Sequence, residues 1–247
     1  MKNLTFLILA RSGSKRIKNK NLKKIGKKSL LKIKISQCKS LNLGKVVVST
    51  NSLNIAKKSL LYGVDKIHIR PEEYSKDKSS TISAVLNFLR DEIKNNRTLT
   101  KYIAICHPTN PFLKNKSFSE AYKKIVKTNN KKIDSIISYT QSSVHPFLFI
   151  ENKKKLKFNV FKIKNKKYST VERSQDRPKS YILSASIKIS KTRFFLKYLK
   201  KTSYKLNIKP FNMKYCLGQE ISNEESFDIN TKFDLNFANS FLIQKKN

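Results

Sequence analysis

The sequence predicts one layered α/β domain over residues 1–247, on three observations. The apolar run Leu4–Ala10 empties directly into a basic loop, Arg11–Asn21, as a strand covered on both faces does when it ends at a binding loop. Short apolar runs then alternate with stretches of helical periodicity through the first half of the chain. A length of 247 residues is enough to bury a sizeable core without a second full domain.

Each element has its own signal. Leu30–Cys38 reads as a helix and Lys45–Thr50 as a second buried strand. Asn51 or Ser52 caps a helix through Leu61 that stops near Gly63, and Lys66–Ile69 is a short strand. Ser79, Ser80 and Thr81 open a helix with Ile82, Val85, Leu86 and Leu89 on its apolar face. Lys101–Cys106 is the next strand, ended by His107-Pro108-Thr109-Asn110-Pro111. Ser117 and Glu120 have capping-box spacing ahead of Phe118, Ala121, Tyr122, Ile125 and Val126. Beyond the strand at Asp134–Tyr139 the pattern changes. Phe147–Ile150, Leu156–Ile163 and Tyr181–Ile189 follow one another as strand-like pieces, so residues 139–190 are expected to form a small antiparallel insertion of the kind that makes a dimer arm, with Lys153–Lys167 as a basic ribbon. The chain returns to α/β character at Arg193–Leu199, with a strand near Met213–Leu217 and a last helix capped by Thr231, with Asp234 in its first turn and Leu235, Ala238 and Leu242 on one face.

The formal charge of +38 ordinarily points to nucleic acid or another polyanion. Here the basic residues are spread from end to end and are nearly all Lys, beside abundant Asn and Ile, so much of the charge is read as A/T-rich base composition. Salt-dependent, non-specific adhesion to nucleic acid remains expected. Cys38, Cys106 and Cys216 are odd in number and unclustered, and His68, His107 and His145 are scattered, which gives neither a disulfide framework nor a zinc site. The N-terminal apolar run is at the short limit of a signal-peptide core, about 7–15 residues, and a basic loop follows it at once. No segment approaches a membrane span, and the expected location is cytoplasmic.

The loop Arg11–Asn21 has the chemistry of a phosphate cradle. Gly13 lets backbone N–H groups turn toward an anion, Ser12 and Ser14 add hydroxyls without bulk, and Arg11, Lys15, Arg16 and Lys20 bring charge. Only eight residues of the chain are Arg, yet two of them lie in this loop, which argues against an ordinary solvated turn. Walker and G-x-G-x-x-G patterns are both missing, disfavouring a P-loop NTPase and a dinucleotide oxidoreductase.

Taken with Val46–Thr50, Arg70-Pro71-Glu72-Glu73, Pro108–Pro111, Arg173-Ser174-Gln175-Asp176 and Asp228-Ile229-Asn230-Thr231, this loop resembles the acylneuraminate cytidylyltransferase family, the CMP-sialic acid and CMP-nonulosonic acid synthetases. The resemblance spans essentially the whole chain. It implies a Rossmann-like nucleotide-diphospho-sugar transferase fold with a mixed, mainly parallel sheet. It also implies a homodimeric, Mg²⁺-dependent enzyme that couples CTP to the anomeric hydroxyl of a sugar acid, giving a CMP-sugar and pyrophosphate. Such a transfer needs positive groups against the phosphoryl oxygens and the departing pyrophosphate. By resemblance Arg11 and Lys15 take that part, Asp228 joins them in catalysis as a carboxylate that holds the metal, and Ser12, Gly13, Ser14, Lys20 and Asn21 hold the nucleotide. Arg70, Ser79, Ser80 and Thr81 match positions that contact the nucleoside, and Asp228 and Asn230 match the metal ligands. His107, Thr109, Arg173 and Gln175 fall on the sugar side. Arg173 suits a substrate carboxylate reached across a dimer interface, and equally a rim salt bridge with Glu172 or Asp176.

The pattern breaks in four places. The family's second metal carboxylate is Asn230 here, which removes a negative charge from a site for a hard cation. Asn51 stands where Asp is frequent, His107 replaces a Gln, and Tyr181–Ile187 lacks the Arg and the Asn-Gly pair of the sialic acid enzymes. Sugar recognition is therefore where the chain departs most. Two alternatives stay open: transfer of CMP to 3-deoxy-manno-octulosonate, and a non-catalytic polyanion-binding protein on the same fold.

Overall fold

The computed structural model describes residues 3–144, 150–154, 157–160, 173, 178–200 and 213–244. In chain order the elements are β1 (Leu4–Leu9), β2 (Lys24–Ile25), β3 (Lys28–Ser29), α1 (Leu30–Leu41), β4 (Gly44–Thr50), α2 (Leu53–Leu61), β5 (Lys66–Ile69), α3 (Thr81–Lys94), β6 (Tyr102–Cys106), α4 (Asn115–Lys127) and β7 (Ser135–Gln141). They continue with β8 (Ile150–Lys154), β9 (Lys157–Val160), β10 (Tyr181–Lys191), α5 (Thr192–Leu196), β11 (Cys216–Glu220), α6 (Asn223–Ser226) and α7 (Lys232–Gln244).

Seven strands form one sheet in the order β11-β7-β10-β6-β1-β4-β5. Within it β10 runs antiparallel to both neighbours, β6 and β7, and the other strands run parallel to one another. Strand order reverses at β1, so the loops leaving β1 and β6 diverge and open a crevice at the carboxyl ends of the strands, the usual ligand position in an open α/β sheet.

Alternating side chains build a core on each face. Leu4, Phe6, Ile8, Val46, Val48 and Ala104 meet Leu31 and Ile35 of α1 and Phe118, Ala121 and Ile125 of α4. On the other face Leu7, Val47, Ile103 and Ile105 meet Ile82, Val85, Leu86 and Leu89 of α3 and Phe194 and Phe195 of α5. Each such fully buried aliphatic or Phe side chain contributes about 1.5–3 kcal/mol. A third cluster positions the site. Ile17 of the basic loop, Ile25, Leu30, Ile229 and Ala238 pack together, which pins the loop to the chain just after Asp228. Gly44 is required by packing, because a Cβ there would stand 1.9 Å from the Leu4 carbonyl oxygen.

Several expectations need correction. The Ser117–Glu120 capping box does not form: α4 starts at Asn115, and its N-cap, Lys114, makes no side-chain cap bond. Glu225 of α6 supplies the cap instead, accepting from the Lys114 N–H at 3.1 Å and from the Ser117 side chain. A buried carboxylate facing the free N–H groups of a helix outcompetes an exposed Glu on the helix surface. Glu225 also closes a capping box with Ser222 at its own helix. Of the stretch 139–190, β8 and β9 pair as a separate hairpin, whereas β10 is a strand of the main sheet between β6 and β7. The later strand starts at Cys216, with a single 3₁₀ turn over Met213–Tyr215. Phe147 and the ribbon beyond Val160 lie outside the described residues. Among the described residues no helix is long and apolar enough to cross a membrane.

Candidate active site

The loop after β1 is held open by its own hydrogen bonds. The buried Asn21 donates from Nδ2 to the Arg11 carbonyl at 2.9 Å, and the Ser12 N–H donates to Asn51 Oδ1 at 2.9 Å. Asn51 in turn donates to Glu72 Oε2 at 2.8 Å, so the amide at this family-Asp position bridges two loops. Gly13 adopts φ +74°, a left-handed conformation that a side chain would strain. Arg11 donates from Nη1 to the Ser75 carbonyl at 3.0 Å and from Nη2 to Asp77 Oδ1 at 2.8 Å, while Lys15 Nζ pairs with Asp77 Oδ2 at 2.8 Å. Hydrogen bonds from Lys15 and Arg11 hold the Asp77 carboxyl below its ordinary pKa. The Lys15 side chain is 81% exposed, so beyond this bridge its ammonium faces solvent.

Arg70 lies behind Arg11. It is 4% exposed, donates from Nε to Ser75 Oγ at 3.1 Å, and is pushed down to about 10 by burial and by the nearby Arg11 charge. Ser80 Oγ accepts from the Ser83 N–H at 3.0 Å as the N-cap of α3, Ser79 Oγ donates to the Glu73 carbonyl at 2.6 Å, and Thr81 is the first helical residue.

The opposite wall joins the turn after β6 to the segment before α7. The Ile229 N–H donates to the Thr109 carbonyl at 2.9 Å, and Asn110 Nδ2 donates to the Phe227 carbonyl at 3.2 Å. Lys20 spans the two walls, donating to the Ile229 carbonyl at 2.9 Å; burial lowers its pKa, against the opposing pull of Asp228. Asp228 Oδ2 accepts from Asn230 Nδ2 at 2.9 Å, whereas Asp228 Oδ1 is buried without a partner among the described residues. Asp234 Oδ2 accepts from the Asn230 and Thr231 N–H groups, both at 2.8 Å, and so fixes the turn. Burial lowers His107 to about 4, leaving a neutral imidazole near physiological pH.

Two adjoining cavities of about 390 and 280 Å³ share Arg11, Ser14, Lys20 and Asn230. The first is lined further by Lys15, Arg16 and Asp77, and the second by Asn21, His107, Thr109, Asn110 and Asp228. The cleft is thus basic at one end and carries a carboxylate, an imidazole and amides at the other. Ser12, Gly13, Arg70 and Ser79–Thr81 support it from behind without lining either cavity. Arg173 is exposed and lines neither, and Gln175 lies outside the described residues. A larger cavity of about 420 Å³, near Tyr102 and Val126, opens at the other end of the strands, where Arg193 and Lys197 are already paired with Asp134.

Sequence reasoning missed Asp77 and Asn110, which line the cleft. Asp77 lies between two lysines in no motif and is visible only once the fold brings it to Arg11. Asn110 occupies the variable position of Pro-Thr-x-Pro.

Residues 5–231 match the family described as cytidylyltransferase. The chain is 27% identical over its whole length to the post-translational flagellin modification protein B of Campylobacter coli, covering 97% of that protein. It is 26% identical to a pseudaminic acid cytidylyltransferase of Campylobacter jejuni, across 96% of this chain and 95% of the other. An N-acylneuraminate cytidylyltransferase of Escherichia coli is 28% identical over 98% of this chain, which spans only 52% of that longer protein. Among solved structures, a CMP:2-keto-3-deoxy-manno-octonic acid synthetase complexed with CTP superposes with a TM-score of 0.70 at 12% identity, covering 98% of this chain and 99% of the other, a likeness of fold. A basic loop and an acidic turn meet at the strand ends of a nucleotidyltransferase sheet, and the family match runs through both, so this chain belongs to the cytidylyltransferase family.

Proposed function

We propose that the enzyme transfers CMP from CTP to the anomeric hydroxyl of a nonulosonic sugar acid and releases pyrophosphate. The observation that carries this reading is the meeting of Arg11, Lys20 and Asp228 around one cleft that is cationic at one end and built for hydrogen bonding at the other. The pseudaminic and N-acylneuraminate cytidylyltransferases among the relatives support the acceptor class.

The attacking hydroxyl oxygen forms a bond to the α-phosphorus while the bond to the pyrophosphate oxygen breaks. Negative charge develops on both sides of that phosphorus. Arg11, Lys15 and Lys20 stabilise it, chiefly by electrostatics and positioning. Asp77, which now neutralises Arg11 and Lys15, must yield them to the phosphates. The orphaned Asp228 Oδ1 suits a divalent cation, and Asp228 with the Asn230 amide oxygen would hold Mg²⁺. When bound, Mg²⁺ neutralises triphosphate charge. Arg70 and the Ser79–Thr81 segment brace the nucleoside side. A homodimer, with Arg173 reaching a neighbour's acceptor site, and a cytoplasmic location complete the reading.

Melting curves with each nucleoside triphosphate test it, because a ligand that binds only the folded state raises its stability. CTP is expected to raise the melting temperature more than ATP, GTP or UTP. Equal shifts with all four remove the cytidylyl reading.

A further inference from the structure

Two features, one in the wall of the acceptor end of the cleft and one beside it, are left without partners. Asn110 is 1% exposed and lines the 280 Å³ cavity, yet its Oδ1 has no hydrogen-bond partner among the described residues. A buried amide oxygen left without a donor is costly unless a ligand supplies one. The second feature is Lys188. The pairing of β10 with β7 shifts register between Ser184 and Lys188, and the bulged stretch places Ala185 in the cavity wall. Ile187 and Ile189 point into the core shared with α1 and α4, so alternation sets Lys188 on the opposite face of the sheet. There it is half-buried beside the cleft, behind the wall of either cavity and within electrostatic reach of Asp228 and of the neutral His107, and no described residue hydrogen-bonds or ion-pairs with its ammonium. Burial lowers its pKa, as expected of a cation that lacks a close partner.

We propose that Lys188 is the own-chain anchor for the acceptor's carboxylate, while Asn110 Oδ1 accepts a hydrogen bond from one of the acceptor's hydroxyls. This deepens the proposed function and rests on it. A 2-keto sugar acid carries its carboxylate on the carbon that bears the attacking hydroxyl. An ammonium there both selects an acid over a neutral sugar and directs the hydroxyl toward the α-phosphate. Asp228 alone does not satisfy Lys188, because its Oδ2 already takes the Asn230 amide and its Oδ1 has no partner. Lys188 is thus a specificity residue on β10, distinct from the triphosphate cations of the first loop.

The test uses the full chain with CTP present and metal withheld, so that binding is read without turnover. Melting shifts are measured with N-acetylneuraminate, pseudaminate and 2-keto-3-deoxy-manno-octonate, and with the carboxamide of whichever acid gives the largest shift. The parent is expected to respond to at least one acid at least 10-fold more tightly than to its carboxamide. Lys188→Met is expected to lose that preference while keeping the parent's response to CTP, and Lys188→Arg to restore part of it. An unchanged acid response in Lys188→Met overturns the assignment, and so does joint loss of the CTP and acid responses, which marks Lys188 as structural. CTP stabilisation with no response to any acid overturns the acceptor anchor alone, whereas equal stabilisation by all four nucleotides overturns the proposed function beneath it.

Discussion

Asn230 donates its amide to the Asp228 carboxylate at 2.9 Å, and Asn230→Asp replaces that donor with a second negative oxygen at the same spot. Two unit charges 4 Å apart in an effective dielectric near 20 interact by about 4 kcal/mol. Both residues are half-buried, so relaxation and water reduce the repulsion to about 1–2 kcal/mol. The lost hydrogen bond to a charged group adds about 1.5–3 kcal/mol. A metal-free penalty of about 3 kcal/mol corresponds to a fall of roughly 6–12 °C in melting temperature for a chain of this size. A divalent cation between the two carboxylates reverses the sign of the effect, because Mg²⁺ draws its affinity from one or two carboxylates together with phosphate oxygens. The variant is therefore expected to melt below the parent in EDTA, to gain more from Mg²⁺, and to reach half-maximal activity at a lower Mg²⁺ concentration. Melting in EDTA followed by a Mg²⁺ titration reads all three. Parent and variant curves that overlay in both conditions refute the reasoning.

Four further outcomes are expected. Lys15→Ala is expected to slow turnover at least ~10-fold, since ~1.4 kcal/mol of barrier is a factor of ten, and an unchanged kcat removes its assigned part. Asp77→Asn frees Arg11 and Lys15 from their carboxylate and is expected to lower the KM for CTP; a raised KM would mean that Asp77 orders the loop for the nucleotide. Glu92 is fully buried and, although burial opposes its charge, bonds from Lys66, Lys45 and Arg97 hold it at about 2. Its stabilisation is complete above the ordinary carboxylate value and is lost as pH falls through about 2. Glu92→Gln is therefore expected to cost about 2–3 kcal/mol at pH 7 and to flatten the acid limb of the stability curve, which urea titrations between pH 7 and 3 measure. Arg173→Ala is expected to raise the acceptor KM in a protein that light scattering finds dimeric, and a strictly monomeric parent rules out its action across an interface.

The elements whose signals are local were legible in the sequence. Ser52 and Ser80 cap α2 and α3 as their positions predict, and Gly63 ends the first of these with φ +79°. The basic loop was legible because Gly13, the two flanking serines and five cations lie within the eleven residues Arg11–Asn21. Features that depend on long-range packing were not. The cap of α4 comes from Glu225, which no pattern around Ser117 reveals. The strand character of Tyr181–Ile189 was plain, but its place in the main sheet follows from pairing with both Ile136 and Ala104, a tertiary outcome. At the site, Asp228 was found through the resemblance of Asp228–Thr231 to the family's motif, whereas Lys188 was hidden by composition, since only its surroundings separate it from the other lysines.

The central claim is cytidylyl transfer, and its most direct measurement is product formation. The chain is incubated with CTP, Mg²⁺ and each of N-acetylneuraminate, pseudaminate and 2-keto-3-deoxy-manno-octonate, and pyrophosphate release is read beside the mass of the CMP-sugar. The account predicts stoichiometric pyrophosphate and CMP adduct with a nonulosonic acid, and near-complete loss of both in Asp228→Ala. Pyrophosphate and adduct that are equally abundant in Asp228→Ala, or that are missing with every acid at every Mg²⁺ concentration, would contradict it.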